Sequence, residues 1–144
     1  MTVYAETSAV LRWLFAEDDG EALRATLAAA DKVTSSRLTL IETRRVVRRA
    51  TREGRITAAQ AADVLAVFAQ AASTWAIVEI TEDIARRAEG SFPVEPVRTL
   101  DAIHLASALF LRESFSDLAI LTTDERVRSN ATLLGFRAEV RPST

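Results

Sequence analysis

Residues 117–134 read DLAILTTDERVRSNATLL, and this stretch predicts a strand that passes directly into a helix. Its first half is apolar and ends in polar residues, which is typical of a buried strand. Its second half is charged and periodic, and Gly135 follows it as a C-terminal stop. A strand that leads straight into a helix is the repeating unit of an α/β fold with a parallel sheet.

The same unit recurs along the chain on both sides of this stretch. Four further segments are predicted strands: TVYAE (2–6), KVTSS (32–36), WAIVEI (75–80) and FRAEV (136–140). Helical patterns separate them, and the longest is predicted from Arg37 to about Glu53. Strands that alternate with helices are joined by crossovers and pair in parallel. The sequence therefore predicts an α/β fold with a mostly parallel central sheet of about five strands, sandwiched by helices.

Length and composition limit the class of protein. The 144 residues, 49% hydrophobic and 26% charged, suit one ordinary globular domain, so residues 1–144 are expected to form a single domain. No apolar run approaches the roughly 18 residues that a membrane span needs, and the N-terminus lacks the pattern of a signal peptide. With no cysteine there is no disulfide framework. These features favour a cytoplasmic protein without a membrane association.

The charge pattern limits how nucleic acid would be bound. The net charge is -2 and the pI about 5.5, so the field of the whole molecule does not attract RNA, and any contact must be local. The best local candidate is a cluster of arginines at helical spacing, namely Arg44, Arg45, Arg48, Arg49, Arg52 and Arg55. Guanidinium groups match phosphate geometry, but a solvated helix face would look the same, and both interpretations remain open.

Two carboxylates lie where strands end. Glu6 ends the first strand and Asp124 follows the fourth, and in parallel α/β sheets ligand sites form outside the carboxyl ends of strands. The two side chains would share one crevice if those strands are neighbours. The alternative is helix capping, because Asp124 precedes a helix and Thr122 with Glu125 forms a T-x-x-E capping box.

Two more carboxylates interrupt apolar helix faces. Glu42 follows Leu38 by one turn, and Asp101 shares a face with Leu105. Burying an unpaired charge costs several kcal/mol, so such residues need a cation or a hydrogen-bond network. An ion pair of Glu42 with Arg45 is one alternative. For Asp101, the alternative is a first-turn acid favoured by the helix dipole.

Four acids without dedicated basic partners would repel one another on converging unless a divalent ion neutralised them. All-oxygen ligation favours Mg²⁺ or Mn²⁺, because cysteine is absent and His104 is the only histidine. His104 lies one turn after Asp101. A general base or an orienting group is one interpretation of it, and a hydrogen-bonded core residue is the favoured one.

Four segments in this order carry a resemblance that spans nearly the whole chain: YAETSAVLRWL, SSRLTLIETRRVVRR, TLDAIHLASAL, and ILTTDERV with the later LGF. Together they resemble the PIN-domain family, specifically the VapC toxins of bacterial toxin–antitoxin pairs. The resemblance implies an endoribonuclease with a Mg²⁺- or Mn²⁺-binding acidic cluster. It also implies a homodimer and a cognate VapB-like antitoxin that blocks the site.

By position, Glu42, Asp101 and Asp124 match three of the family's acidic residues. Thr122 matches the threonine that commonly precedes the last acid, and Ser8 matches a hydroxyl residue near the first, so both are expected to support the carboxylates. Glu6 departs from the pattern, because most family members have aspartate there. Glutamate still ligates a metal, but its carboxylate lies one methylene further out.

The resulting hypothesis is that Glu6, Glu42, Asp101 and Asp124 hold one or two ions that activate water for RNA cleavage. One competitor is a non-catalytic PIN-like module that binds RNA or protein, with Glu6 marking a lost active site. The other is a Mg²⁺-dependent phosphohydrolase that acts on DNA or a nucleotide.

Overall fold

The computed structural model describes residues 1–138, which contain seven helices and five strands. In chain order these are β1 (Thr2–Ala5), α1 (Thr7–Leu14), α2 (Gly20–Ala29), β2 (Lys32–Ser36), α3 (Arg37–Arg52), α4 (Ala58–Ala72), β3 (Ala76–Val78), α5 (Glu82–Ala88), α6 (Thr99–Arg112), β4 (Ala119–Leu121), α7 (Glu125–Leu133) and β5 (Arg137–Ala138). The predicted alternation of strands and helices is confirmed. The end of the predicted last strand, residues 139–140, lies outside the described residues.

The five strands form one sheet in the order β3-β2-β1-β4-β5, and every neighbouring pair is parallel. In the central strand, Val3 is in register with Val33 on one side and with Ala119 on the other. Because β1 and β4 are neighbours, the predicted convergence of Glu6 and Asp124 on one edge of the sheet is possible. The predicted parallel α/β sheet is confirmed.

Helices cover both faces of the sheet. Successive side chains of a strand point to opposite faces, so Tyr4 and Val3 lie in different cores. Tyr4 packs in a cluster with Leu105 of α6 and Val127 of α7. Val3 packs in a second cluster with residues of α1, α2 and α4, including the fully buried Phe68. The sheet is therefore buried on both faces, and at its carboxyl edge the strands lead into helices.

Helix α3 starts without an intervening loop. Ser36 ends β2 and also caps α3, because its side chain accepts a hydrogen bond from the backbone N–H of Leu38. The helix stops before Gly54, whose φ of 73° is the left-handed conformation that favours glycine. Direct passage from strand to helix places Glu42, in the second turn, close to the sheet edge.

The sequence after β1 predicts a helix that runs through AVLRWLFAE (9–17) and is capped by Thr7 or Ser8, and α1 differs from this prediction at both ends. Its N-cap is Glu6, whose side chain accepts from the backbone N–H of Ser8, whereas Thr7 or Ser8 was the predicted cap. It also ends at Leu14, before the predicted end at Glu17, because Ala16 has a φ of 51° that no helix continues. Within residues 1–138, no helix combines the length and the apolar character needed to span a lipid bilayer.

Candidate functional site

The four predicted acids are held by elements that meet at the carboxyl end of the sheet. Glu6 follows β1, Glu42 lies in α3, Asp101 lies in the first turn of α6, and Asp124 precedes α7. Glu6 and Asp101 are each only 5% exposed, so both are buried carboxylates. The side chains of Glu42 and Asp124 are each 22% exposed and form the side open to solvent.

The Glu6 carboxylate is held by three donors on one oxygen. Its Oε2 accepts hydrogen bonds from the backbone N–H of Ser8 at 3.0 Å, from the Ser8 hydroxyl, and from the Thr122 hydroxyl at 2.8 Å. Ser8 Oγ in turn accepts from the backbone N–H of Thr123 at 2.9 Å. Ser8 and Thr122, which were expected to support the site carboxylates, therefore both contact Glu6, and they tie β1 to the loop after β4.

Glu42 is bound by a hydroxyl and an imidazole. Its Oε1 accepts from the Thr7 hydroxyl at 2.6 Å and from Nε2 of His104 at 2.7 Å. The other ring nitrogen of His104 lies 2.8 Å from the Tyr4 hydroxyl, and the ring is 1% exposed. His104 is thus the hydrogen-bonded core residue that was favoured, and its partner is a site carboxylate. The alternative ion pair of Glu42 with Arg45 is not formed.

The environment keeps Glu42 ionised and Tyr4 protonated. Burial alone raises the pKa of Glu42, but the hydrogen bonds from His104 and Thr7 and the charge of Arg98 outweigh it, so this pKa lies below its ordinary value. For Tyr4, burial and then the charge of Glu6 raise the pKa well above its ordinary value. The Tyr4 phenol therefore keeps its proton beside the imidazole.

Arg98 bridges the other two acids. Its Nε donates to Oδ2 of Asp101 and its Nη2 to Oδ2 of Asp124, both at 3.1 Å. The expectation that the four acids lack basic partners is therefore wrong. Arg98 is the N-cap residue of α6, three positions before Asp101, and this spacing brings the two side chains together. Its own side chain is 62% exposed.

Asp124 has a capping role as well as a site position. Its Oδ1 accepts from the backbone N–H groups of Arg126 and Val127, which confirms the capping alternative for this residue. Thr122 is not the cap. Its hydroxyl oxygen accepts from the backbone N–H of Asp124 at 3.0 Å while donating to Glu6. The cap occupies Oδ1, so Oδ2 remains available to a cation, here Arg98.

The donor atoms suit a divalent ion chemically. Within residues 1–138, Oε1 of Glu6, Oε2 of Glu42 and Oδ1 of Asp101 accept no hydrogen bond. Such carboxylate oxygens are the ligands that Mg²⁺ and Mn²⁺ prefer. In the same part of the chain, no three Asp, Glu, His or Cys side chains stand close enough to hold an ion. The residue types fit the ion, while Arg98 supplies the positive charge beside Asp101 and Asp124.

Sequence reasoning missed three residues of this site: Thr7, Tyr4 and Arg98. The signal for Arg98 was available, because an arginine three residues before an acid on a helix is a standard ion-pair spacing. Thr7 contacts Glu42 directly, 35 positions away in the sequence, and Tyr4 reaches the site through His104, which lies 100 positions away. No local pattern predicts contacts of that separation.

Comparison with known proteins places this architecture in a family. The model of the PIN domain matches residues 3–133, which is most of the chain. This chain belongs to the PIN-domain family. PIN domains are typically nucleases, and PIN nucleases generally use a divalent metal. The resemblance to the family is thereby confirmed, and the four acids occupy the carboxyl edge of a PIN fold.

The PIN fold is also seen in the comparison with solved structures, of which seven chains match. One is the crystal structure of VapC20 from Mycobacterium tuberculosis, a toxin that cleaves the sarcin–ricin loop. It is 18% identical, with a TM-score of 0.66, and the match covers 97% of this chain and 99% of that one. At this identity the likeness establishes the fold alone. No curated protein matches the PIN domain of this chain.

Proposed function

We propose that this PIN domain is a metal-dependent endoribonuclease, the toxin of a type II toxin–antitoxin pair. The observation that carries the proposal is the placement of Glu6, Glu42, Asp101 and Asp124 at one edge of the sheet, with two of them buried. Buried carboxylates are uncommon in folded proteins unless they are paired or belong to a functional site. The similarity in fold to a toxin that cleaves RNA supports the same class of substrate here.

In this proposal Glu6, Glu42, Asp101 and Asp124 hold Mg²⁺ or Mn²⁺. When bound, the ion lowers the pKa of water and neutralises the charge that builds on the scissile phosphate. Two features of the chain prepare the ligands. Thr7 and His104 keep Glu42 in its charged form, as its lowered pKa indicates. Arg98 balances the repulsion between Asp101 and Asp124.

Glu6 is compatible with this function although the family usually has aspartate there. Its longer side chain reaches back to cap α1 with Oε2, while Oε1 faces the site and lies 3.8 Å from Nε2 of His104. The carboxylate is therefore fixed by Ser8 and Thr122 and still offers one oxygen. A rigid glutamate of this kind acts as a metal ligand from a slightly shifted position.

The proposal extends to partners. A VapB-like antitoxin would inhibit the enzyme, two copies would form a homodimer, and the protein would act on RNA in the cytoplasm. The fold likeness to VapC20 supports the antitoxin and RNA as partners. The second candidate function is a PIN-like module that binds RNA or protein without cutting. One observation favours it: Arg98 occupies the cationic position between Asp101 and Asp124.

The decisive experiment is cleavage of a mixed RNA pool by purified, antitoxin-free protein in Mg²⁺, Mn²⁺ or EDTA. Asp101→Asn tests the site, and Asp83→Asn on the exposed face of α5 is the matched control. We expect metal-dependent cleavage that Asp101→Asn abolishes in a folded protein and Asp83→Asn retains. Absence of cleavage with either ion favours the binding module, and a preference for DNA or nucleotides in a substrate panel favours the phosphohydrolase.

A further inference from the structure

A groove between α3 and α4 concentrates positive charge outside the acidic site. It encloses about 680 Å³, and its charged lining residues are all arginines: Arg44, Arg45, Arg48, Arg49 and Arg52. Val47 and Leu65 contribute an apolar floor. No aspartate or glutamate of residues 1–138 lines it. The groove is therefore a strongly cationic surface on a protein whose net charge is -2.

The groove arginines differ from other arginines of the chain in having no carboxylate partner. Arg24 pairs with Glu21, and Arg86 pairs with Glu82. By contrast, none of the five groove arginines forms an ion pair within the described part of the chain, 1–138. Arg44 lies over the ring of Phe68 at 5.7 Å. The charge of the groove is thus available to an anionic ligand.

Arg55, the sixth arginine of the cluster in the sequence, does not belong to this surface. It lies beyond the end of α3, does not line the groove, and pairs with Glu53 at 3.2 Å. The structure therefore divides the arginine cluster into five unpaired residues that share a groove and one neutralised residue outside it.

A single helix, α3, carries both Glu42 of the acidic site and the five groove arginines. Arg45 and Arg49 follow Glu42 by three and seven positions and so share its side of α3. At a rise of about 1.5 Å per residue, Arg49 lies roughly 10 Å and Arg52 roughly 15 Å from Glu42 along the helix axis. A nucleic-acid strand with its scissile phosphate at the acids would meet these arginines at phosphates a few nucleotides away.

We propose that this groove binds the backbone phosphates of single-stranded RNA flanking the scissile bond. The inference rests on the proposed function, because it extends the substrate from the acidic site along α3. Arginines are suited to this ligand, since the planar guanidinium binds phosphate oxygens in a bidentate manner. Contacts of this type fix the position of a strand without reading its sequence. Of the two interpretations of the arginine cluster, this proposal adopts the phosphate contacts.

The test measures binding separately from cleavage. Fluorescence anisotropy with a labelled, unstructured RNA oligonucleotide in EDTA gives the association constant at several salt concentrations. The test variant is R49A/R52A, and the matched control is R24A/R86A, which removes the same charge from exposed, ion-paired positions. Each lost phosphate contact lowers the slope of log K against log salt by about 0.7, so the test variant is expected to lose about 1.4.

Several results are distinguishable. The control should retain the wild-type slope, and R49K/R52K should recover it because lysine keeps the charge. If both alanine variants lose the same slope, the proposal is overturned, since RNA binding would then depend only on the total charge of the protein. If R49A/R52A binds RNA as the wild type does but binds poly-glutamate more weakly, the proposal is overturned in favour of an acidic protein partner. RNA binding through the groove without cleavage in Mg²⁺ or Mn²⁺ would refute the proposed nuclease and leave the groove assignment intact.

Discussion

His104→Ala tests the buried network that orients Glu42. The ring is 1% exposed, so its removal leaves a cavity and breaks three contacts, with Glu42 at 2.7 Å, with the Tyr4 hydroxyl at 2.8 Å and with the Thr7 hydroxyl at 3.1 Å. A hydrogen bond to a charged group contributes about 1.5–3 kcal/mol, and a buried hydroxyl left without a partner costs about 1–3 kcal/mol. With some relaxation around the cavity, we expect a loss of about 3–5 kcal/mol in the free energy of unfolding.

The assay is urea denaturation at pH 7, with Tyr4→Phe and the double variant completing a thermodynamic cycle. Tyr4→Phe removes the hydroxyl that His104 orients, so its effect should be smaller when His104 is already alanine, with a coupling of about 0.5–3 kcal/mol. A loss below about 1 kcal/mol for His104→Ala, or effects of the two substitutions that simply add, would refute the network. Water would then replace the imidazole without cost, and Glu42 would not depend on it.

Three further predictions concern the charges and the packing around this edge of the sheet. Arg98→Ala removes the cation between two acids, so Mn²⁺ should bind several-fold more tightly by calorimetry, whereas Arg86→Ala should leave the affinity unchanged. Because the pKa of Glu42 is lowered in the folded protein, ionised Glu42 stabilises the fold above its ordinary pKa of 4.5, and this stabilisation is lost as the pH falls through the folded pKa. Glu42→Gln should therefore reduce the pH dependence of the free energy of unfolding, measured by urea titration, below pH 4.5. Gly20→Ala should lower Tm despite the helical position, because the added methyl would meet the carbonyl oxygen of Arg12 at 2.5 Å, and an unchanged Tm would contradict this packing.

Much of the fold follows from local pattern. The strand preceding Glu6, the long helix from Arg37 and the helix containing Asp101 were all predictable, because apolar periodicity and capping residues act over a few neighbours. The same patterns indicated the burial of Asp101, since an acid on an apolar helix face has no route to solvent. The early end of α1 was not predictable, because its helical periodicity continues past Leu14 and the break at Ala16 has no marking residue.

The amino-acid sequence by itself indicated that two acids follow strands of a parallel sheet and that two more interrupt apolar helix faces. It could not determine how they are neutralised. The sequence pattern suggested Arg45 for Glu42, whereas the folded chain pairs it with His104, 62 positions away, and Arg98 reaches Asp124 across 26 positions. The physical reason is the range of the interactions. Periodicity decides which face of a helix or strand a side chain occupies, but only the packing of α3, α6 and the strands against one another decides which charges lie within hydrogen-bonding distance.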